Sequence, residues 1–152
     1  MARLSGTWTL RATTNQAGWD QRVRIAGSTN ADGAHPMVVG TVIPNVRGVD
    51  MEVTTQAFNP VVGRWLDSFQ IEMMSWDPAK GVMLTISADD RTDAPDADFN
   101  DLIVECVSND PEIVPPRFDG PRLDLTIPQK YIKEKCHYPE PRPPQEKKGQ
   151  SE

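Results

Sequence analysis

The sequence predicts an all-β protein, a two-sheet antiparallel sandwich of jelly-roll type with about eight strands. Three observations lead to this fold class. Apolar residues alternate with polar ones in most hydrophobic stretches, which is the period of a strand with one buried face. Short runs of turn-forming residues separate those stretches. No long stretch shows the period of an amphipathic helix. Short strands at this spacing are typical of sandwiches.

The first four predicted strands differ in how their apolar residues are arranged. In the first, Trp8 and Leu10 lie on one face and polar residues on the other. The second and fourth alternate in the same way. The third, from Met37 to Ile43, is apolar on both faces, which indicates a central strand. The four strands are predicted at 7–12, 22–25, 37–43 and 49–54.

The last four predicted strands continue the alternation. Phe69, Ile71 and Met73 share one face of the fifth strand, and a turn at 77–81 leads into the sixth. Cys106 occupies an inward position of the seventh. The four strands are predicted at 68–76, 82–87, 102–108 and 122–127.

The amino-acid composition changes after residue 110, where prolines become frequent. The last residues are rich in proline, charge and polar groups, and they contain little apolar material to bury. We therefore divide the chain into a β-sandwich domain at 1–128, a docking or packing arm at 129–139 and a disordered tail at 140–152.

Composition excludes several classes of partner. The net charge of −6 over 152 residues comes with no basic stripe, so nucleic acid is not expected to bind. No apolar run reaches ~18 residues, so no membrane span is expected. The first residues lack the apolar core of a signal peptide, which predicts a cytoplasmic or non-classically exported protein. For Cys106 and Cys136, two free thiols are favoured over a disulfide.

The most informative segment runs from Asp89 to Asp101 and carries six aspartates, one asparagine and one arginine. Carboxylates this close repel one another, and a bound hard cation neutralises them. Ca²⁺ accepts oxygen ligands in flexible geometry, so the segment predicts a calcium site. The candidate ligands are Asp89, Asp90, Asp93, Asp96, Asp98, Asn100 and Asp101.

Within this segment, Asp96-x-Asp98-x-Asn100 is an alternating oxygen pattern that turns every second side chain towards one ion. It is not an EF-hand, because strands flank it and the glycine and glutamate of that motif are missing. The run from Asp96 to Glu105 resembles the Asp-x-Asp-Phe-Asn-Asp segment of bacterial calcium-binding β-sandwich domains of surface and adhesive proteins. That resemblance implies a calcium site here.

Three interpretations of the acidic segment stay open at this point. It is a solvated loop without an ion, or a calcium brace for the sandwich, or a calcium ion within a ligand site.

If successive strands run antiparallel, the loop at 88–101 shares one end of the sandwich with the loops at 27–36 and 57–67. A tryptophan beside a calcium ion suits a sugar, because its face stacks on a pyranose ring. The candidate ligand-binding residues in those loops are Asn30, Asp32, His35, Arg64 and Trp65.

We therefore expect a calcium-dependent carbohydrate-binding, lectin-like protein, and a homo-oligomer would add avidity to a weak single site. The alternative is a structural or assembly subunit in which calcium only braces the sandwich and the proline-rich tail is a docking arm. An enzyme is not expected. Carboxylates gathered in one short loop are better explained by an ion than by acid–base groups placed on both sides of a substrate.

Overall fold

The structure is a computed structural model that describes residues 1–15, 18–89, 101–118, 122–124 and 128–132. This part of the chain is almost entirely β, with one 3₁₀ turn at Gln129–Tyr131. The strands, in chain order, are β1 Ala2–Asn15, β2 Gln21–Ser28, β3 Gly33–Pro36, β4 Val42–Asn59, β5 Arg64–Asp67, β6 Phe69–Asp77, β7 Gly81–Asp89, β8 Leu102–Ser108, β9 Arg117–Phe118 and β10 Arg122–Asp124. The expected all-β class is confirmed.

The strands follow one another in the order β10-β6-β7-β8-β1-β4-β2-β3, with β5 paired to β4 and β9 paired to β1. All of these pairs are antiparallel except β10 with β6. Strand β1 belongs to both halves of the molecule, because it pairs with β4 from Ala2 to Arg11 and with β8 from Trp8 to Asn15. Buried side chains of β2 and β4 share one core with those of β7 and β8, so the two halves face each other as a sandwich.

The core follows from the alternation seen in the sequence. Along β7 and β8 every second residue is buried, as expected for strands with one inward face. Trp8 is fully buried, and its indole Nε1 donates a 2.9 Å hydrogen bond to the carbonyl of Ser5. The thiol of Cys106 is free and buried, and burial raises its pKa far above the usual range. Cys136 lies outside the described residues.

Strand β1 passes from one half to the other through an irregular register near Gly6. Gly6 has a φ of 102°, in the region that favours glycine, and it pairs with Gly48 of β4. A Cβ atom at Gly6 would lie 2.5 Å from the carboxylate of Asp110, which accepts a 3.0 Å hydrogen bond from the amide of Thr7. The tight crossing therefore requires a residue without a side chain.

The prediction of a central strand from Met37 to Ile43 is wrong. Only Met37 and Ile43 are buried in that stretch, and Val38 and Val39 are exposed. The segment turns at Gly40, whose φ is 94°, and the next strand, β4, runs on for 18 residues. A run that is apolar on both sides has no period, so it does not distinguish a central strand from a turn with exposed valines.

The C-terminal part of the described chain packs onto the sandwich. Tyr131 contacts the core cluster, and its ring lies 6.0 Å from that of Trp76. Ile132 forms a parallel bridge with Ile113. Most of the predicted arm at 129–139 and the whole tail at 140–152 lie outside the described residues. Across all the residues that the structure describes, no helix is long and apolar enough to cross a bilayer.

Candidate functional site

Two carboxylates mark the base of the acidic segment. Asp89 ends β7 with an exposed fraction of 0%, and Asp101 directly precedes β8 with 8%. These strand ends are adjacent, because the amide of Asp101 donates a 3.1 Å hydrogen bond to the carbonyl of Ala88. The fold therefore brings the two carboxyl groups that flank the rest of the acidic segment onto neighbouring strands.

The remaining predicted calcium ligands, Asp90, Asp93, Asp96, Asp98 and Asn100, lie outside the described residues. Within the described part of the chain, no group of three or more His, Cys, Asp or Glu side chains is arranged to hold a metal. The calcium site stays a prediction, and Asp89 and Asp101 are the two of its residues whose surroundings are known.

The residues predicted in the loop at 27–36 are engaged with their own neighbourhood. The carboxylate of Asp32 accepts 2.7 Å hydrogen bonds from the amide and the hydroxyl of Ser28, and these bonds lower its pKa. The ring of His35 lies 2.7 Å from the carbonyl of Ala31. Asn30 bonds to the backbone of β4 through the carbonyl of Asn45, at 2.7 Å. These contacts hold the β2–β3 loop in its conformation, and they use polar atoms of all three predicted ligand-binding residues.

The structure places this loop far from Asp101, the described end of the acidic segment. Asn30 accepts a hydrogen bond from Arg47, which pairs with Thr7 of β1. Leu102, next to Asp101, pairs with Asn15 at the other end of β1. About eight residues of strand separate the two positions, roughly 25 Å along an extended chain. The expectation assigned loops to the two ends of the sandwich by counting strands along the chain. Strands β3 and β5 lie within segments that were expected to be loops, so the count was wrong.

Trp65 lies on β5, opposite Phe58 of β4, and is half-buried outside the core cluster. Its ring meets that of Phe58 edge to face, with centroids 5.6 Å apart. The guanidinium of Arg22 lies 4.1 Å from the indole centroid, within the range of a cation–π contact. Arg64, one residue before, is exposed and pairs with Asn59 at the end of the hairpin.

Of the predicted ligand-binding residues, Trp65 and Arg64 lie on the strand that leads into β6, whose first residue pairs with Asp89. Strand β5 ends at Asp67, Ser68 binds the carbonyl of Thr55 through its amide at 3.0 Å, and β6 starts at Phe69. Phe69 pairs with Asp89. Four residues of chain therefore connect Trp65 with the strand position beside a buried carboxylate of the acidic segment.

A polar cleft beside Trp65 was not foreseen from the sequence. Its volume is about 310 Å³, and its lining comes from the N-terminus and four strands with their connections. The lining residues are Met1, Arg24, Glu52, Thr54, Gln56, Asp67, Ser68 and Gln70. The alternation of β2 and β4 shows that Arg24, Thr54 and Gln56 are outward-facing, but no local pattern indicates that β5 and β6 complete a cleft around them.

Hydrogen bonds connect the cleft with Trp65. Gln56 donates to the carboxylate of Asp67 and accepts from Nε of Arg22, each at 2.8 Å. Arg22 in turn stacks on Trp65. On the β6 side, the side-chain oxygen of Gln70 accepts from the amide of Thr55 at 3.0 Å. The cleft and the tryptophan therefore form one connected surface on the outer face of β2, β4 and β5.

Comparison with known proteins gives a likeness in fold. No protein-family model matches the chain, and no curated protein matches it. A solved structure of the lectin CV2L from Chromobacterium violaceum, in complex with α-methyl-fucoside, is similar in fold. The likeness covers 70% of this chain and 93% of the lectin, with 16% identity and a TM-score of 0.52. At that identity it shows the fold alone, a β-sandwich.

Proposed function

We propose that this protein is a calcium-dependent carbohydrate-binding protein, with the ion held by the segment from Asp89 to Asp101. The observation that carries the proposal is the burial of Asp89 and Asp101 on adjacent strand ends below that segment. The similarity in fold to a lectin that was solved with a fucoside supports a sugar as the ligand.

Electrostatics favour an ion at this place. Two buried carboxylates at the base of a segment with four further aspartates are stabilised by a divalent cation, which takes oxygen ligands from carboxylates and amides. A sugar supplies vicinal hydroxyls, which are also oxygen ligands for calcium. Trp65, on the strand that leads to Phe69 and Asp89, offers an apolar surface for the ring.

A binding role is also more consistent with the burial of these carboxylates than a catalytic one. An acid or base that acts on a sugar must reach the scissile bond with its carboxyl group. Asp89 is fully buried, so its carboxylate is placed to hold an ion or a hydrogen bond and not to contact a substrate in solvent.

Titration calorimetry with α-methyl-fucoside and a glycan array, each in millimolar calcium and in EDTA, tests the proposal. We expect binding with calcium and loss of binding with the chelator, restored when calcium is returned in excess. Sugar binding that is unchanged by EDTA would show that the acidic segment does not hold the ligand. If no sugar binds in either buffer and the melting temperature still depends on calcium, the ion stabilises the sandwich and does not serve a sugar site.

A second candidate is a structural or assembly subunit, and exposed apolar side chains favour it. Val61 is 87% exposed and Val38 is 64% exposed, while Phe69 and Met73 lie on the outward side of β6. Exposed apolar groups of this size are found at interfaces between subunits. Light scattering coupled to size exclusion measures the mass in solution. A mass that falls when Phe69 and Met73 are both replaced by serine would support assembly through β6.

A further inference from the structure

We propose that the polar cleft beside Trp65 is a second saccharide site, which binds a sugar that carries a carboxylate and does so without calcium. Its groups differ from those proposed to hold calcium, because none of the described residues that line it belongs to the segment 89–101. Its volume of about 310 Å³ is within the range of small-ligand sites and suits a single sugar residue.

The register of the strands places the cleft residues on one face. Arg24 of β2 pairs with Thr54 of β4, and Arg22 pairs with Gln56. Gln56 also pairs with Asp67 of β5. Residues two apart on a strand face the same way, so these side chains form rows across three strands. The rows are set by backbone pairing, and the site is therefore formed before any ligand arrives.

Most charged groups of the lining already have partners. The carboxylate of Glu52 forms an ion pair with the guanidinium of Arg3, with 3.0 Å between nitrogen and oxygen. The N-terminal amine of Met1 lies 3.9 Å from a carboxylate oxygen of Glu72. Asp67 accepts a hydrogen bond from Gln56. These contacts leave the oxygens of Glu52 and Asp67 with spare lone pairs, which can accept further hydrogen bonds from hydroxyl groups.

Arg24 differs from the other charged lining groups. Within the residues that the structure describes, no carboxylate lies at ion-pairing distance from its exposed guanidinium. Asp32, which is attracted to Arg24, has its carboxylate turned to Ser28. Burial, and after it repulsion from Arg24, lower the pKa of Arg22. Arg24 in the lining and Arg22 beside the cleft place two positive charges on one face of β2, and they favour a ligand that brings one negative charge.

The rest of the lining specifies what else that ligand carries. The side chains of Thr54, Gln56, Glu52 and Asp67 donate to and accept from hydroxyl groups. Two carboxylates in the lining repel a doubly charged group such as a phosphate more strongly than a singly charged one. Trp65, the aromatic residue of the proposal above, also lies beside this cleft and is joined to it through Arg22 and Gln56. One carboxylate, several hydroxyls and an apolar ring face describe a uronic acid glycoside.

The test compares methyl β-glucuronide with methyl β-glucoside by calorimetry and by chemical-shift perturbation, with EDTA in every sample. We expect the glucuronide to bind at least about tenfold more tightly, from the magnitude of a hydrogen bond to a charged group. Arg24→Gln should remove that preference. Arg47→Gln is the matched control, because Arg47 is an exposed arginine of β4 that does not line the cleft. Thermal unfolding verifies that both variants fold.

Two results would overturn the inference. One is equal affinity for the glucuronide and the glucoside, or no affinity for either. The other is glucuronide binding that Arg24→Gln leaves unchanged. Inorganic phosphate that displaces the glucuronide at equal concentration would also contradict it, because the site would then be a general anion site. EDTA separates this test from the first proposal, since loss of the calcium site leaves the cleft intact.

Discussion

Trp65 shows what a single residue adds beyond the sequence pattern. From the sequence, a tryptophan at this position is either the rim of a core or a platform for a ligand. The structure places it outside the buried cluster, against Phe58 and under Arg22. Its neighbours come from β2 and β4, so its surroundings depend on strand pairing that cannot be read from residues close to it in the chain.

We expect Trp65→Ala to weaken sugar binding several-fold while leaving the melting temperature nearly unchanged. An aromatic platform contributes about 0.5–1.5 kcal/mol beyond its area burial, and Trp65 is only half-buried. Trp8→Ala is the contrasting variant, since deletion of a fully buried tryptophan costs about 3–5 kcal/mol. Calorimetry and thermal unfolding on both proteins provide the comparison. A Trp65 variant that melts as early as the Trp8 variant would contradict a ligand role.

Among the elements, the hairpin of β7 and β8 was predicted well and its neighbours less well. The alternation of Val82, Leu84 and Ile86 faces that of Leu102 and Val104, and both strands form where expected. Strands β3 and β5 were missed because each has four residues, too few to show a period. Short strands are held by their long partners β2 and β4, and their own side chains carry little signal.

The acidic segment allows a prediction at this scale. Asp98→Ala should remove most of the calcium affinity, whereas Asp98→Asn should remove less, because an amide oxygen still coordinates the ion. Asp77→Ala is the control, since Asp77 lies at the turn from β6 to β7, at the opposite end of β7 from Asp89. Calcium titration by calorimetry measures all three. Similar losses in the Asp77 and Asp98 variants would place the ion elsewhere.

For the whole molecule, the sequence pattern was enough to predict the sandwich fold but not the polar cleft. Burial of every second residue follows from local alternation, and enough strands alternate to require two facing layers. The cleft combines Arg24, Glu52, Asp67 and Gln70, which meet only because β5 continues into β6 beside β4. No sequence period relates these positions, so the cleft required the tertiary structure.

Calcium should raise the melting temperature of the whole protein. An ion that binds the folded segment and not the unfolded chain adds about 2.7 kcal/mol at ~100-fold excess over its dissociation constant. If the ion binds as proposed, Asp89 and Asp101 would link it to β7 and β8, so the gain should appear in the global transition. Thermal unfolding in millimolar calcium and in EDTA measures it. Identical midpoints in the two buffers would mean that the site is absent or very weak.

The pairing of β1 with β8 has a consequence for how the chain is made in a cell. Thr9 and Asn109 hydrogen-bond across 100 residues, so one edge of the second half of β1 stays unpaired until β8 has been synthesised, although β4 pairs with the other edge as far as Arg11. At about 5–20 residues per second, translation leaves that edge open for roughly 5–20 seconds. Open strand edges join to other chains. Protection of nascent chains, and not the stability of the finished sandwich, should therefore limit the yield of folded protein.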